Sequence, residues 1–412
     1  MDFKRVPKRV LLVTQWFDPE PTFKGLLFAK ELLARGYEVE VITGFPNYPG
    51  GRIYEGHSVK AIQSEYLDGV LVRRVALYPS HDNGKIGRAL NYLSFAVSAL
   101  LCGLFVSKRP DIVYAYHPPL TVSLAAMIVK FFRRVPVVMD IQDIWPDTLA
   151  ATGMIKNRVL LSLISKICDV TYKSADKIVV LSPGFKQLLI GRNVPEVKIE
   201  IIYNWTDEEA IRSDFSLVPD EIRGIPGFKI LFAGNVGKAQ DLGVVVDAAY
   251  SLKNDCPTIN FFILGRGLEL DILKRRVASL GLENIYFLEP VGMREVGSFL
   301  NAADALLIHL RRDPLFEITI PGKTQAYMAA GKPILMGVAG DAGRLVANAD
   351  CGLVFDPGNP QSLAAAVKKL VSAPTSDLQY FGRNGRAYYY EHLSLACGVN
   401  RFQRIFRELS VG

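Results

Sequence analysis

The sequence predicts an α/β protein made of two successive doubly wound domains. Three observations carry that prediction. Short apolar runs of strand length alternate with stretches of helical periodicity along most of the chain. A polar segment at 204–228, with Pro219, Pro226 and Gly227 near its end, splits the alternation into two rounds. Residues 305–338, ALLIHLRRDPLFEITIPGKTQAYMAAGKPILMGV, hold a complete strand, loop, helix and strand.

The first round opens at 10–13. Lys4, Arg5, Lys8 and Arg9 precede this run, but it is too short for a secretory signal and no small-residue cleavage site follows, so it reads as a strand. After the turn residues Asp18, Pro19, Glu20 and Pro21, the spacing of Leu26, Leu27, Ala29, Leu32 and Leu33 is helical; Gly36 stops it before a strand at Val39, Val41 and Ile42. The chain is then loop-rich to Asp82, with one strand at 70–75. Loops at the carboxyl ends of parallel strands carry ligand contacts, which makes Asn47, Tyr48, His81 and Asp82 candidates.

Residues 92–107 contain no charge and are bracketed by Lys85 and Arg88 before and Lys108 and Arg109 after. Sixteen residues fall short of the roughly 20 that cross a bilayer. They read as a core helix or, with Phe131, Phe132, Arg133 and Arg134 close by in sequence, as an interfacial helix on a membrane surface. Further strands follow at 112–116, 135–139, 177–181 and 199–203. DIQDIWPD at 140–147 gathers three carboxylates and an amide where a strand meets a loop. This set can hold sugar hydroxyls or do acid–base work, unless Asp143 and Asp147 only cap the next helix.

The second round runs through strands at 229–233, 260–264 and 286–288, with GNVGKAQDL as a glycine-containing turn and Gly265, Arg266 and Gly267 leading into a helix. In 305–338 a helix opens at Pro321, Gly322, Lys323 and Thr324 and ends at Gly331 and Pro333. A helix opening just after a parallel strand turns free N–H groups and the positive end of its dipole toward the sheet edge, where a diphosphate binds. Gly322 allows close approach and Lys323 adds a full charge, unless this is an ordinary strand-to-helix turn with a surface lysine.

Composition narrows the class. Half the residues are hydrophobic and 22% are charged, as in globular proteins. The five cysteines have no paired spacing and read as buried thiols of a reducing compartment. The net charge of +7 is lopsided: residues 1–203 carry 26 Lys and Arg against 18 Asp and Glu, and the remainder 22 against 23. This asymmetry points to an anionic partner for the first half, a membrane surface or phospholipid-like substrate, with no nucleic-acid signature, or else to a solvated face with no partner.

Together GFPNYPGGRIYEG (44–56), VRRVALYPSHDNG (72–84), DIQDIWPD, IIYNW (201–205), FAGNVGKAQDL (232–242) and IPGKTQAYMAAGKPI (320–334) resemble the family 4 retaining glycosyltransferases of GT-B fold. More narrowly, they resemble the bacterial L-fucosamine transferases of surface polysaccharide synthesis. The resemblance implies two Rossmann-like domains facing a cleft: an acceptor domain over 1–205, a nucleotide-sugar domain over 206–386, and a C-terminal helix over 387–412 crossing back to the first. It further implies a UDP-sugar donor, a polyprenyl-diphosphate-linked saccharide acceptor in O-antigen or capsule synthesis, no metal or other cofactor, and a cytoplasmic enzyme held at the inner face of the membrane.

On the donor side the resemblance selects Asn235, Lys238, Gln240, Gly265, Arg266, Val291, Met293, Gly322, Thr324 and Gln325. Asp18, Glu20, Tyr48, His81, Asp82, His117 and Gln142 make up the acceptor side; Asp143, Lys323 and Glu317 are the catalytic candidates. The pattern departs from the family in two places. Asn235 and Gln240 stand at the usual Arg and Lys positions, leaving Lys238 to compensate. Ile318 and Ala326 stand where most members carry a glutamate pair; Glu317 and Gln325, one residue earlier, keep the spacing but are turned about 100° on a helix. A nucleotide-sugar 2-epimerase of the same fold and a non-catalytic sugar-nucleotide binder are the competing readings.

Overall fold

A computed structural model describes residues 8–80, 85–151, 154–212 and 218–410. The chain divides into two compact units, Met1–Tyr203 with Leu395–Gly412, and Asn204–Ser394.

The first unit contains β1 (Arg9–Val13), α1 (Leu26–Ala34), β2 (Glu38–Gly44), β3 (Ile62–Leu67), β4 (Val70–Val75), α2 (Lys85–Leu101) and β5 (Ile112–His117). It continues with α3 (Leu120–Arg133), β6 (Val137–Ile141), α4 (Asp147–Ala151), α5 (Arg158–Ser174), β7 (Lys177–Val180), α6 (Pro183–Gly191) and β8 (Ile199–Ile201). The sheet order is β3-β4-β2-β1-β5-β6-β7-β8. All pairs are parallel except β3 with β4. β5 and β6 are buried along their whole length, which is why they read as unbroken apolar runs. The order reverses between β1 and β5, and such a switch point opens a crevice at the carboxyl ends of the two strands.

β3 is absent from the sequence reading, which gives this stretch to loops. It joins β4 through Asp68 and Gly69, both at positive φ, and its residues are exposed or half-buried, so no apolar face announces it.

The second unit contains α7 (Glu208–Ile211), β9 (Phe228–Ala233), α8 (Gly243–Leu252), β10 (Ile259–Leu264), α9 (Leu270–Ser279), β11 (Ile285–Leu288), α10 (Met293–Ala302) and β12 (Ala305–His309). α11 (Pro314–Glu317), α12 (Lys323–Ala330), β13 (Ile334–Gly337), α13 (Asp341–Asn348), β14 (Gly352–Val354), α14 (Pro360–Val371) and α15 (Thr375–Tyr388) complete it. Its parallel sheet runs β11-β10-β9-β12-β13-β14, with the switch between β9 and β12. Ile230, Phe232, Phe261, Ile263, Leu307 and Leu335 fill the centre of its core.

A C-terminal helix over 387–412 is the expectation, and the structure breaks it into pieces. A π-helical turn at Tyr389–Leu393 and an extended Ser394 interrupt the path before α16 (Leu395–Leu409). Tyr389 stays with the second unit, accepting from the Thr206 amide at 3.2 Å and bonding Glu208 at 3.1 Å. α16 does return to the first unit: Phe402 packs against Phe28 (5.0 Å between ring centres) and Tyr114 (5.6 Å). Cys256 and Cys397 are only partly buried, unlike the other three cysteines.

Candidate active site

In the second unit the loops leaving β9 and β10 run side by side past the strand ends. Gly234 and Val236 donate to the carbonyls of Leu264 and Arg266 at 2.9 Å each. The approach is so close that a Cβ on Gly265 would lie 2.0 Å from the Gly234 oxygen, and one on Gly267 2.2 Å from that of Val236. Only glycine fits at these crossings, and Gly265 also holds a φ of +146°.

α12 opens beside these loops. Its N-cap, Gly322, offers no side chain, so nothing from the cap residue covers the start of the helix. The Lys323 Nζ lies 3.6 Å from the centre of the Phe232 ring at the end of β9, and a Cβ on Gly234 would come within 3.0 Å of it. The residue as a whole is partly exposed, but its ammonium is packed out of water, and this desolvation brings its pKa down to about 7. Among the described residues no carboxylate forms an ion pair with it. Thr324 is fully buried, and its hydroxyl has no partner among the described residues.

Two candidates brace the site from within. The Gln240 side chain accepts from Asn235 Nδ2 and the Gly237 amide at 3.2 Å each, closing the loop on itself. Gln325 is buried and, with its amide turned to donate, reaches the carbonyls of Gly322 (2.9 Å) and Pro321 (3.1 Å). Lys238, Asn235 and Arg266 remain exposed. Val291 precedes the N-cap of α10, where Met293 starts the helix; the Met293 side chain lies outside the described residues. Glu317 is exposed at the end of α11, and its backbone carbonyl is seated against Gly340.

His309, unassigned in the sequence reading, anchors the β9 loop. Its Nδ1 lies 2.7 Å from the Gln240 carbonyl, and its Nε2 accepts from the Gly358 amide at 3.0 Å. That pattern requires neutral imidazole with the proton on Nδ1, and burial lowers its pKa accordingly. A polar residue closing an apolar strand is the signal that could have found it.

The first unit builds a second constellation at the carboxyl ends of β1, β5 and β6. Lys24 and Asp140, both wholly buried, meet at 2.5 Å. Asp140 also accepts from Tyr114 OH at 2.7 Å and from the Gln142 amide. Asp143 follows in the same loop; burial raises its carboxyl to about 6. Burial pushes the hydroxyls of the nearby Tyr48 and Tyr92 up, and the Asp143 charge adds to both shifts. The Tyr48 ring packs tilted against Trp16, 4.8 Å between centres, and Tyr92 lies near Trp145. An acid set among aromatic rings is chemistry suited to a sugar, whose C–H faces pack on rings while its hydroxyls bond the carboxylate.

Glu20 is buried and accepts from the amides of Asn47 (2.8 Å) and Tyr48 (2.7 Å), anchoring that loop; desolvation raises it to about 7. Asp18 accepts from the Leu26 amide at 2.6 Å and so secures the start of α1. His117 is fully buried beside Trp145 and Tyr172, with neither ring nitrogen bonded among the described residues, and burial lowers it to about 4. His81 and Asp82 lie outside the described residues. Lys24 and Tyr92 escaped the sequence reading, because a lysine in a turn and a tyrosine at the edge of an apolar run carry no pattern of their own.

Two family descriptions match this chain: a glycosyl transferase 4-like domain over 26–205 and a glycosyl transferases group 1 domain over 223–388. The chain therefore belongs to the glycosyltransferases of GT-B fold, and it is an enzyme of that class. Among its relatives, the probable glycosyltransferase WbjE of Pseudomonas aeruginosa is 24% identical over 74% of this chain and 76% of its own length. The putative colanic acid biosynthesis glycosyl transferase WcaI of Escherichia coli K12 is 26% identical over 73% and 75%. Anabaena HepE, solved in complex with UDP, superposes with a TM-score of 0.70 at 16% identity, over 97% of this chain and all of its own. WaaG, a glycosyltransferase involved in lipopolysaccharide biosynthesis, gives 0.63 at 15% identity over 96% and 99%.

Proposed function

We propose that this enzyme moves a sugar from a nucleoside-diphosphate donor, bound by the second unit, to a lipid-diphosphate-linked saccharide bound by the first, in the synthesis of a surface polysaccharide. The observation that carries this reading is Lys323: an ammonium stripped of water, without a carboxylate partner among the described residues, at a helix N-terminus beside glycine-only loops. Such a charge lacks a counterion, and a diphosphate supplies one. Lys238, Arg266 and Asn235 are exposed on the neighbouring loops for further phosphate and base contacts. HepE is solved with UDP and with UDP-glucose, which favours uridine as the base. WcaI is named for colanic acid biosynthesis and WaaG for lipopolysaccharide biosynthesis, which favours a polysaccharide acceptor.

As the donor bond breaks, charge grows on the leaving diphosphate; Lys323, Lys238 and the start of α12 stabilise it electrostatically, a task for which the reading assigns no metal. Asp143, poised near 6 among Tyr48, Tyr92 and Trp16, takes the acceptor side with Glu20, Gln142 and Asp18 as its frame. Same-face attack assisted by the donor phosphate gives retention, and N-acetyl-L-fucosamine is the sugar proposed. At the glutamate-pair positions' neighbours, Glu317 stands exposed on a separate turn and Gln325 braces the helix start. The proposed location is the cytoplasmic face of the membrane, where lipid-linked acceptors are available.

Purified protein is offered a panel of UDP- and GDP-sugars with and without a lipid-diphosphate N-acetylglucosamine acceptor, in EDTA, and products are weighed by mass spectrometry. A gain of one sugar mass on the lipid, dependent on one donor, is expected. Donor conversion without acceptor would make the protein an epimerase, and UDP binding without turnover a binder.

A further inference from the structure

We infer that the outer face of α2, with the adjoining end of α3, is a membrane-embedding surface that lays α2 flat in the head-group region of an anionic bilayer. The inference deepens the lipid-linked acceptor reading and rests on it only for the cell compartment.

The segment Ile86–Val106 is long and apolar enough to cross a membrane, yet only 28% of it is buried. Its inner side is committed: Phe95, Ala99 and Cys102 belong to the core beneath the sheet, and Asn91 donates to the Tyr78 carbonyl at 2.7 Å. A helix tied to the sheet in this way cannot leave it to span a bilayer. Its outer side is bare. Ile86, Leu90, Leu93, Val97, Leu101 and Phe105 recur at intervals of three or four residues, and all are exposed, Ile86 and Phe105 by 78% each. At 1.5 Å per residue this ridge is about 29 Å long.

The ridge widens at one end. Phe131 and Phe132, at the end of α3, are 77% and 66% exposed and meet edge to face at 5.2 Å. The Arg133 guanidinium donates to the carbonyls of Leu104 and Ser107, which fastens α3 to the turn bearing Phe105. One exposed apolar surface thus runs from α2 onto α3, and contiguous exposed apolar side chains rimmed by polar ones mark interaction sites.

Charge selects the occupant. Residues 85–110 contain Lys85, Arg88, Lys108 and Arg109 and no Asp or Glu; Asp111 follows, turned to the amides of Lys8 and Arg9, and residues 112–139 contain Arg133, Arg134 and Lys130, the last paired with Asp176, and no acid. Lys108, Arg109 and Arg134 are exposed beside the phenylalanines, and Arg109 donates to the Arg134 carbonyl at 3.4 Å, which holds two of the three together. Apolar side chains with a rim of one sign match lipid tails beneath anionic head groups.

Flotation of the full-length protein with vesicles of phosphatidylcholine, alone or with 30% phosphatidylglycerol, tests this. The wild-type should float with the anionic vesicles and partition at least tenfold less into the neutral ones. Phe105→Ser/Phe131→Ser should lower partitioning into anionic vesicles tenfold or more, and Arg109→Ser/Arg134→Ser should remove the preference for them. All four side chains are exposed, and unchanged melting temperature and UDP binding would show that folding and the donor site are intact. Wild-type protein that stays in solution, or a phenylalanine variant that floats like wild-type, overturns the surface even if sugar transfer to a water-soluble acceptor succeeds. A dimer in light scattering that the phenylalanine substitutions dissolve, with no flotation, would make the face a protein interface instead. Flotation without any sugar transfer would leave the surface standing and sink the transferase reading.

Discussion

Each unit hides a lysine near the switch point of its sheet, and the two lysines have opposite fates. In the first unit Lys24 is wholly buried with Asp140 at 2.5 Å, and Tyr114 and Gln142 complete the carboxylate's shell. In the second, Lys323 is packed over Phe232 with no acid facing it among the described residues, and its pKa falls to about 7. Burial opposes charge in both. The difference lies in what offsets it. A paired, hydrogen-bonded ion holds two elements of a fold in register, here the start of α1 against the end of β6. An ion left without its counterion is a cost to the free protein that an anionic ligand removes on binding.

The comparison breaks first at Lys24. Lys24→Met leaves Asp140 buried without its cation and should destabilise the protein by about 3–5 kcal/mol in urea denaturation, whereas Lys24→Met/Asp140→Leu should recover most of the loss. A single substitution costing under about 1 kcal/mol would show that the pair does not hold this region.

Lys323 should behave the other way. Lys323→Met is expected to slow transfer about 10²–10³-fold and to weaken UDP binding, yet to raise stability. Its folded pKa lies below the unfolded value, so the penalty is complete below pH 7 and fades as pH climbs toward 10.5; the gain should follow the same course. Calorimetry sharpens the point. Above pH 7 the free lysine is increasingly neutral, so UDP binding should take up a proton in wild-type and none in Lys323→Arg. A destabilised Lys323→Met would mean that the ammonium has a structural partner after all.

The smallest effect belongs to Asp143. With a carboxyl near 6, transfer should decline as pH falls through that value, and Asp143→Asn should flatten the limb while slowing the reaction about 10²-fold. A wild-type profile level down to pH 5 would remove Asp143 from the chemistry.

The alternation of apolar runs and helical spacing made the parallel sheets legible, because central strands buried on both faces must be apolar throughout, as β5, β6, β10 and β12 are. The helix start at Gly322 and Lys323 was legible for a related reason: a strand, a turn with glycine and a helical pattern follow one another there. β3 was not, since its face is in water and its one local signal was Asp68-Gly69. Side-chain partnerships were the least legible. Nothing in the order of residues says that Lys24 and Asp140, 116 positions apart, share a bond, or that Gln240 and Gln325 turn inward as braces. Those depend on where loops cross, and only folded backbone decides that. The uncharged stretch after Tyr92 divided evenly between core helix and interfacial helix because one of its sides faces the sheet and the other faces out.

The return of α16 has a consequence for synthesis. Phe402 seals Phe28 and Tyr114 and lies 5.5 Å over the Lys24 ammonium, so the first unit lacks part of its interior until α16 has been made. At ordinary elongation rates roughly 10–40 s separate the emergence of β8 from that of Phe402. The half of the enzyme that leaves the ribosome first is therefore the half finished last. A stop codon placed at the boundary between the units would release an N-terminal fragment with an open seam, in need of a chaperone or of α16 supplied as a separate peptide.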